Sequence, residues 1–171
     1  MTLHAQRMMT LPEPHPVGGA LIPYLGLMAL IERLQHLLLD LIKDEFERLS
    51  LLDVNPVQAL ILFHIADHEV TAGELRSRGF YQGSNVSYNL KKLVELGYLH
   101  HARCAVDRRS VRIRLTEKGH DLRHVLTALF ARQAAGLTKA GSLADPGVLD
   151  RVAADLGGLE RYWADQIRYI Y

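Results

Sequence analysis

Short segments divide the middle of the chain, and their order leaves few possible folds. Asn55 and Pro56 predict the start of a helix, because Asn caps helix N-termini and Pro lacks only an N–H that the first turn does not use. Gln58 completes a capping box. Thr71 and Glu74 repeat that spacing and predict a second helix. We expect the first helix to run to about residue 67 and the second to end near residue 79.

A third helix and a strand hairpin follow. Ser84 is the expected N-cap of this helix, and Gly97 is expected to end it. Residues 98–104 and 110–115 are strand candidates, the second of which alternates apolar residues with arginines. The run Asp107-Arg108-Arg109 then forms a charged hairpin tip. Three helices followed by such a hairpin are the element order of a winged helix-turn-helix.

Two different faces are predicted for the third helix. Apolar residues share one face: Val86, Leu90, Leu93 and Val94. The other face carries groups that suit DNA, since Asn and Ser can bond base edges, Tyr can pack on sugar or a thymine methyl, and Lys can reach phosphates. A solvated surface helix has the same pattern. The candidate DNA contacts are Ser84, Asn85, Ser87, Tyr88, Lys91, Lys92, Arg108, Arg109 and Arg112.

Charge is distributed unevenly although the net charge is only +1. Residues 1–70 hold 4 Lys/Arg against 9 Asp/Glu, residues 71–119 hold 10 against 4, and residues 120–171 hold 6 against 6. A basic segment between acidic and neutral flanks favours contact with a polyanion through the middle of the chain. An ordinary solvated surface can also have this charge.

The flanking segments predict an arm and long helices. Residues 1–22 are rich in Pro and Gly and are expected to form a flexible arm. From about Tyr24 to Leu49 apolar residues recur at helical spacing on a face wider than one small domain needs. Thr116 is expected to cap a helix to about Leu137, and the last helix carries an apolar seam that requires a partner helix.

Composition and motifs exclude several classes of protein. Cys104 is the only cysteine, so a secreted disulfide framework is excluded. The longest stretch without a charged residue or a histidine, residues 16–31, is too short and too rich in Gly and Pro to span a bilayer, and no signal peptide is visible. We therefore expect a cytoplasmic protein. No catalytic motif or cofactor-binding loop is present, so neither an enzyme nor a cofactor is expected.

Histidines and the cysteine raise a second possibility, a sensor of metal or thiol chemistry. His64 and His68, and also His120 and His124, are four residues apart, but no zinc signature accompanies them and no metal site is predicted. A neighbouring Arg103 can favour the thiolate of Cys104, although an inert strand cysteine is the more common case.

The run from Gly83 to Gly119 resembles the recognition helix and wing of MarR-type winged-helix transcriptional regulators. The motif that carries the resemblance is an Asp-x-Arg tip, a strand, Leu-Thr and a Gly, here Asp107, Arg109, Leu115, Thr116 and Gly119. The resemblance extends over about residues 24–170. Within that family the LdtR branch is the most similar, through the first helix and the run YQGSNVSYNLKKLVELGYL.

The resemblance implies a mainly α-helical homodimer with a small antiparallel wing of two or three strands. It divides the chain into the arm at 1–22, a dimerisation helix and linker at 24–54, a winged-helix domain at 55–119 and C-terminal dimerisation helices at 120–171. It further implies a palindromic DNA site, with Arg109 in the minor groove and Asp107 supporting the tip. An effector pocket is implied between the DNA-binding and dimerisation parts, with His36, His64 and Tyr81 as candidate lining residues.

The sequence therefore predicts a DNA-binding transcriptional regulator that responds to a small molecule and acts as a repressor or dual regulator. It would lie in the cytoplasm, on the nucleoid when bound to DNA. A winged helix used as a protein-interaction module is the rival hypothesis from another class, and a metal- or thiol-responsive regulator is a further alternative.

Overall fold

The computed structural model describes residues 19–66, 68–77, 83–103, 111–140 and 145–170. The described chain forms six helices and one three-stranded antiparallel sheet. The helices are α1 (Leu21–Arg48), α2 (Pro56–Ile65), α3 (Ala72–Ser77), α4 (Gly83–Glu95), α5 (Glu117–Ala140) and α6 (Pro146–Ile170). The strands are β1 (Val70–Thr71), β2 (Leu99–Arg103) and β3 (Val111–Leu115). The prediction of a mainly helical winged-helix fold is confirmed.

The chain consists of two compact units, which are residues 1–41 and residues 42–171. The described part of the first unit is the beginning of α1, where large apolar side chains such as Ile22 and Leu37 are exposed. The second unit holds the sheet, the remaining helices and the C-terminal end of α1. Its core is made of side chains from α1, α2, α4 and α5, among them Ile42, Ile61, Leu62, Leu93 and Leu126, each fully buried.

The sheet has the strand order β1-β3-β2. Leu99 pairs with Leu115 and His101 pairs with Ile113 along β2 and β3, and Val70 of β1 pairs with Ile113 on the other side of β3. Alternation in β3 is observed as predicted, because Ile113 and Leu115 are buried while Arg112 and Arg114 are exposed. The two-residue strand β1 is too short for a periodic signal in the sequence.

Both capping boxes are present. Asn55 Oδ1 accepts from the Gln58 N–H at 2.9 Å, and Gln58 Oε1 accepts from the Asn55 N–H at 3.2 Å. In the second box the Thr71 hydroxyl accepts from the Glu74 N–H at 3.1 Å, and Glu74 Oε2 accepts from the Thr71 N–H at 2.6 Å. Local side-chain chemistry therefore places the starts of α2 and α3 where the sequence predicts them.

Several predicted helix boundaries are wrong by a few residues. Helix α1 begins at Leu21 rather than at Tyr24, because a proline in the first turn costs no hydrogen bond, so residues 21 and 22 are helical and not part of an arm. Helix α5 extends to Ala140 rather than to about Leu137. Residues 1–18 of the predicted arm lie outside the described residues.

Two further corrections concern α4 and α2. Helix α4 begins at Gly83, so Ser84 lies inside the helix and is not its N-cap. Helix α2 ends at Ile65, because the next residue, Ala66, has a φ of 56°. His68 therefore lies beyond α2, so the four-residue spacing of His64 and His68 does not place them on one helix.

Candidate nucleic-acid interface

Helix α4 has one buried and one exposed face, as predicted. Val86 and Leu93 are fully buried, and Leu90 is 6% exposed. Ser87, Tyr88 and Lys91 are exposed on the other side, and 67% of Tyr88 is accessible. Since residues three and four apart lie on one helix face, these three side chains form a continuous polar surface. Ser84 and Asn85 lie in the first turn of the same helix.

Two lysines extend this surface toward the end of α4. The ammonium of Lys91 lies 4.0 Å from a carboxylate oxygen of Glu95, and that of Lys92 lies 3.6 Å from the other oxygen. The Lys91 side chain is 80% exposed. Solvent-exposed pairs of this kind contribute about 0–1 kcal/mol, so either lysine can leave Glu95 for a phosphate at little cost.

The C-terminal end of α4 is fixed by hydrogen bonds. Gly97 adopts a φ of 78°, its N–H donates to Val94, and the Tyr98 N–H donates to Leu93. This pair of bonds is a Schellman motif, so Gly97 ends the helix as predicted. The ammonium of Lys118 also donates to the Leu96 carbonyl at 3.1 Å, where a cation is favourable beside the negative end of the helix.

Tyr98 joins α4 to the loop before α2 and to the start of α5. Its hydroxyl donates to Asp53 at 2.9 Å, Lys118 donates to the other oxygen of Asp53 at 2.9 Å, and the Lys118 ammonium lies 4.1 Å from the centre of the Tyr98 ring. Burial raises the pKa of Asp53, but hydrogen bonds from Lys118 and Tyr98 outweigh it and hold this pKa below its usual value. The sequence contains no local signal for this three-residue contact.

The same three-residue contact raises the pKa of its other two members. Hydrogen bonding to Asp53 raises the pKa of Lys118. Burial, followed by the hydrogen bond to Asp53, raises the pKa of Tyr98. Near neutral pH the carboxylate, the ammonium and the neutral phenol are therefore all stabilised in the forms that bond one another.

The junction of β3 and α5 explains the Leu-Thr-x-x-Gly part of the motif. Leu115 is buried, and the Thr116 hydroxyl accepts from the Gly119 N–H at 3.1 Å, which makes Thr116 the N-cap of α5 as predicted. The same hydroxyl donates to the Gly97 carbonyl at 2.7 Å. These contacts tie the end of the sheet to the end of α4.

The strands place Arg112 on the exposed side of β3. Its guanidinium donates to Glu69 at 2.7 Å, and both side chains are nearly half exposed. Arg108, Arg109 and Asp107, the predicted hairpin tip, lie outside the described residues. The nine candidate DNA contacts are thus divided between α4, β3 and a tip of which the structure describes nothing.

Two cavities lie between described residues of the second unit. One, of about 430 Å³, lies between α4 and the sheet, and the other, of about 210 Å³, lies beside His68 and His120. Neither is lined by His36 or His64. His36 is exposed on α1, whereas burial lowers the pKa of the half-buried His64. Tyr81 lies outside the described residues.

The described residues contain neither a metal-binding cluster nor a membrane-spanning helix. No group of three or more His, Cys, Asp or Glu side chains is arranged to hold a metal ion. No helix there is long and apolar enough to cross a membrane. Cys104 lies outside the described residues.

Three known structures resemble this chain. The transcriptional regulator SlyA matches with a TM-score of 0.70 at 17% identity, covering 85% of this chain and 99% of its own. A MarR transcriptional regulator from Methanosarcina mazei Go1 matches with a TM-score of 0.65 at 20% identity, and the match covers 81% of this chain and 96% of that regulator. The structure of the S. aureus MepR–DNA complex matches with a TM-score of 0.65 at 19% identity, and the match covers 79% of this chain and 96% of the MepR chain. At these identities the likeness establishes the fold.

Sequence comparison decides the family. A family model described as a winged helix DNA-binding domain matches residues 54–119. The exopolysaccharide II synthesis transcriptional activator ExpG of Rhizobium meliloti (strain 1021) is 37% identical over 152 residues, which cover 88% of this chain and 76% of ExpG. The chain belongs to the MarR-type winged-helix transcriptional regulators. It is a DNA-binding regulator of transcription and not an enzyme, as predicted. The narrower resemblance of this regulator to the LdtR branch stays a prediction.

Proposed function

We propose that this regulator binds a palindromic DNA site as a homodimer, with α4 in the major groove and the β2–β3 hairpin tip in the minor groove. The observation that carries the proposal is the polar surface of Ser87, Tyr88 and Lys91 on the side of α4 opposite its buried face. A helix held by its apolar face can present its other face to base edges. The surface also lies in the basic segment, residues 71–119.

Each candidate contact has a role that fits its chemistry. Ser84, Asn85 and Ser87 would bond base edges, and Tyr88 would pack on sugar or a thymine methyl. Lys91, Lys92 and Arg112 would bind phosphates, the last after leaving Glu69. Arg109, with Arg108 beside it, would enter the minor groove, where negative potential is strongest when the groove is narrow. Asp107 would support the tip.

Exposed apolar side chains support the homodimer. Along α6, Leu149, Val152 and Leu156 are 42%, 45% and 38% exposed, and they recur at steps of three and four residues. Such a stripe is the usual seam between helices. The first part of α1 exposes Leu30, Leu34, Leu37 and Leu38 in the same way. We propose that residues 24–54 and 120–171 dimerise, and that residues 55–119 bind DNA.

The relative ExpG suggests the direction of regulation. ExpG is named as an activator of exopolysaccharide II synthesis. We therefore propose that this regulator activates at least part of its targets, which makes it a dual regulator rather than a pure repressor, and that genes of exopolysaccharide synthesis are the first targets to test. It would act in the cytoplasm, where its DNA lies.

A small-molecule effector is the last part of the proposal. Support comes from the resemblance to MarR-type regulators and from His64, a half-buried imidazole beside Phe63, whose ring centroid lies 5.9 Å away. Compounds that raise the thermal unfolding temperature would be tested for release of operator DNA. The same compounds should act less strongly on a His64→Gln variant, and a full effect there would remove His64 from the effector site.

Replacing Lys91 tests the DNA-binding surface. Since Lys91 would bind a phosphate, Lys91→Ala should weaken binding to all duplex sequences and reduce the slope of log affinity against log salt by about one. The matched control is Lys43→Ala, because Lys43 is a 63% exposed lysine on α1, outside the basic segment. Fluorescence anisotropy at several salt concentrations measures both. Equal salt slopes for Lys91→Ala and wild type would contradict the proposed surface.

Base readers and the hairpin tip need separate variants. Ser87→Ala and Asn85→Ala should change which bases are preferred in selection from random DNA, whereas Arg109→Ala should weaken binding to every sequence. A wild-type protein that retards no fragment of its own genomic neighbourhood in gel shift would favour the protein-interaction module instead.

A further inference from the structure

A buried hydrogen bond connects α4 to the start of α2. The Gln58 side-chain nitrogen donates to Asn89 Oδ1 at 3.2 Å. Gln58 is 4% exposed, and Asn89 is 9% exposed. Asn89 lies on the buried side of α4, between the fully buried Val86 and Leu93. The buried face of α4 therefore includes a polar contact with α2 beside its apolar side chains.

Gln58 has little freedom to move. Its backbone N–H donates to Asn55 Oδ1 at 2.9 Å, and its Oε1 accepts from the Asn55 N–H at 3.2 Å. The capping box thus holds one end of the side-chain amide, and the other end reaches Asn89. Asn89 is consequently bonded to a fixed point on α2.

This bond constrains α4 in a way that apolar contacts do not. Burial of Val86, Leu90 and Leu93 is non-directional, so these side chains tolerate small rotations of the helix. A hydrogen bond weakens steeply when its angle or distance changes. A rotation of α4 by 20° would move side chains on its surface by about 2 Å, given the radius of an α-helix with side chains. In the proposed complex, such a shift would take Ser87 and Tyr88 away from their contacts with DNA.

We propose that Gln58 and Asn89 are positioning residues for sequence recognition: their buried amide pair fixes the rotation of α4, and hence the base preference, although neither touches DNA. The proposal rests on the proposed function, in which α4 enters the major groove. It assigns the capping-box glutamine of α2 a second role, which the spacing Asn55 to Gln58 alone does not reveal.

A double variant tests the pair. Gln58→Met with Asn89→Leu replaces both amides by apolar side chains of similar size, so that neither amide of the buried pair is left without the other. Because Gln58→Met also removes the acceptor of the Asn55 N–H, a variant that weakens only the cap is needed beside it. We expect its ratio of affinities for operator and random DNA to fall about tenfold, comparable to the cost of one mismatched base pair. Affinity for random DNA should not change, because phosphate contacts do not depend on base register.

Two control variants separate positioning from stability. Gln58→Glu keeps the capping box, and Asn89 can turn its amide to donate to the new carboxylate, so the wild-type ratio should be retained. Asn55→Ala weakens the cap of α2 by about 1 kcal/mol but leaves the pair, so it should also keep the ratio. If the double variant does not fold, Asn89→Ser serves instead, because its hydroxyl is too short to reach Gln58.

The outcomes are distinct. A folded pair-breaking variant that keeps the wild-type ratio overturns the proposal, and so does one that loses affinity equally for operator and random DNA. If instead the wild-type protein does not discriminate among sequences, or Lys91→Ala leaves binding unchanged, the proposed function fails, and the positioning role that rests on it fails with it.

Discussion

Gly119 lies where the first turn of α5 passes closest to the backbone of Tyr98. A Cβ on Gly119 would lie 2.4 Å from the Tyr98 carbonyl oxygen, which accepts from the Thr116 N–H. Gly119→Ala should therefore destabilise the protein by about 2 kcal/mol, because overpacking against a fixed backbone outweighs the better helix propensity of Ala. Urea unfolding at one fixed protein concentration measures the change.

The control for this variant is another glycine of the same helix. A Cβ on Gly136 would meet nothing within 4 Å. Gly136→Ala should therefore stabilise the protein by up to about 1 kcal/mol through helix propensity alone. A stabilising effect at both positions would show that the close approach at Gly119 relaxes at no cost.

Glu45 is a buried carboxylate held by two arginines. Arg48 donates to both of its oxygens, at 2.8 and 3.0 Å, and Arg132 of α5 donates to one of them. Hydrogen bonding from Arg48, opposed by burial and reinforced by Arg132, lowers the pKa of Glu45 from 4.5 to about 2. The bonds thus stabilise the ionised form and connect the end of α1 to α5.

The stability of the fold should depend on the ionisation of Glu45. Because its folded pKa lies below the unfolded value, the stabilisation is present above about pH 4.5 and is lost as the pH falls toward 2. Glu45→Gln should destabilise the protein by about 1–3 kcal/mol at pH 7, and the difference from wild type should shrink in acid. Urea unfolding from pH 7 to 2.5 measures this. The exposed Glu47, paired with Lys43, is the control, and a difference for Glu45→Gln that does not vary with pH would contradict the assignment.

Helix α4 depends at its end on a residue that can adopt a positive φ. Gly97 has a φ of 78°, and a Cβ there would meet no atom within 4 Å, so only backbone strain opposes substitution. We expect Gly97→Ala to lower the free energy of unfolding by about 1–2 kcal/mol. Gly97→Asn should lower it less, because Asn enters the left-handed region more readily. Thermal and urea unfolding compare the two. Equal costs would indicate that the Schellman bonds do not hold α4.

Elements that follow from local chemistry were predictable from the sequence. The capping boxes at Asn55 and Thr71, the stop at Gly97 and the alternation of β3 each depend on residues within a few positions of one another. Helix lengths were less predictable, since the positive φ of Ala66 that ends α2 follows no glycine or proline signal.

The contacts between elements had no signal in the sequence. Asn89 lies 31 positions from Gln58, Tyr98 lies 45 positions from Asp53, and Arg132 lies 87 positions from Glu45. Each is a polar contact fixed by packing, which a periodic pattern in one segment does not encode. The candidate DNA surface was predictable only as a helix face, whereas its supports were not.

At the scale of the whole molecule, the described long helices α1 and α6 expose many large apolar side chains. On α6 the stripe of Leu149, Val152 and Leu156 lies opposite a face of charged residues, Asp150, Arg151, Asp165 and Arg168 among them. An exposed apolar stripe of this kind usually marks an interface. In a palindromic site two half-sites are about 34 Å apart, so two recognition helices must be held at a fixed spacing. In the proposed complex, dimerisation would therefore be the condition for tight operator binding and not an independent property.

Charges placed on the α6 stripe should separate the two chains. Val152→Glu with Leu156→Glu would bury carboxylates in an apolar seam, so we expect a monomer in sedimentation velocity, operator affinity reduced at least tenfold, and binding to single half-sites retained. The control is Ala154→Glu, which adds one carboxylate, half the charge of the double variant, to an exposed position on the opposite side of α6 and should leave the dimer intact. A double variant that remains dimeric would place the interface elsewhere. One that becomes monomeric yet binds the operator with wild-type affinity would show that two linked copies are not required for recognition.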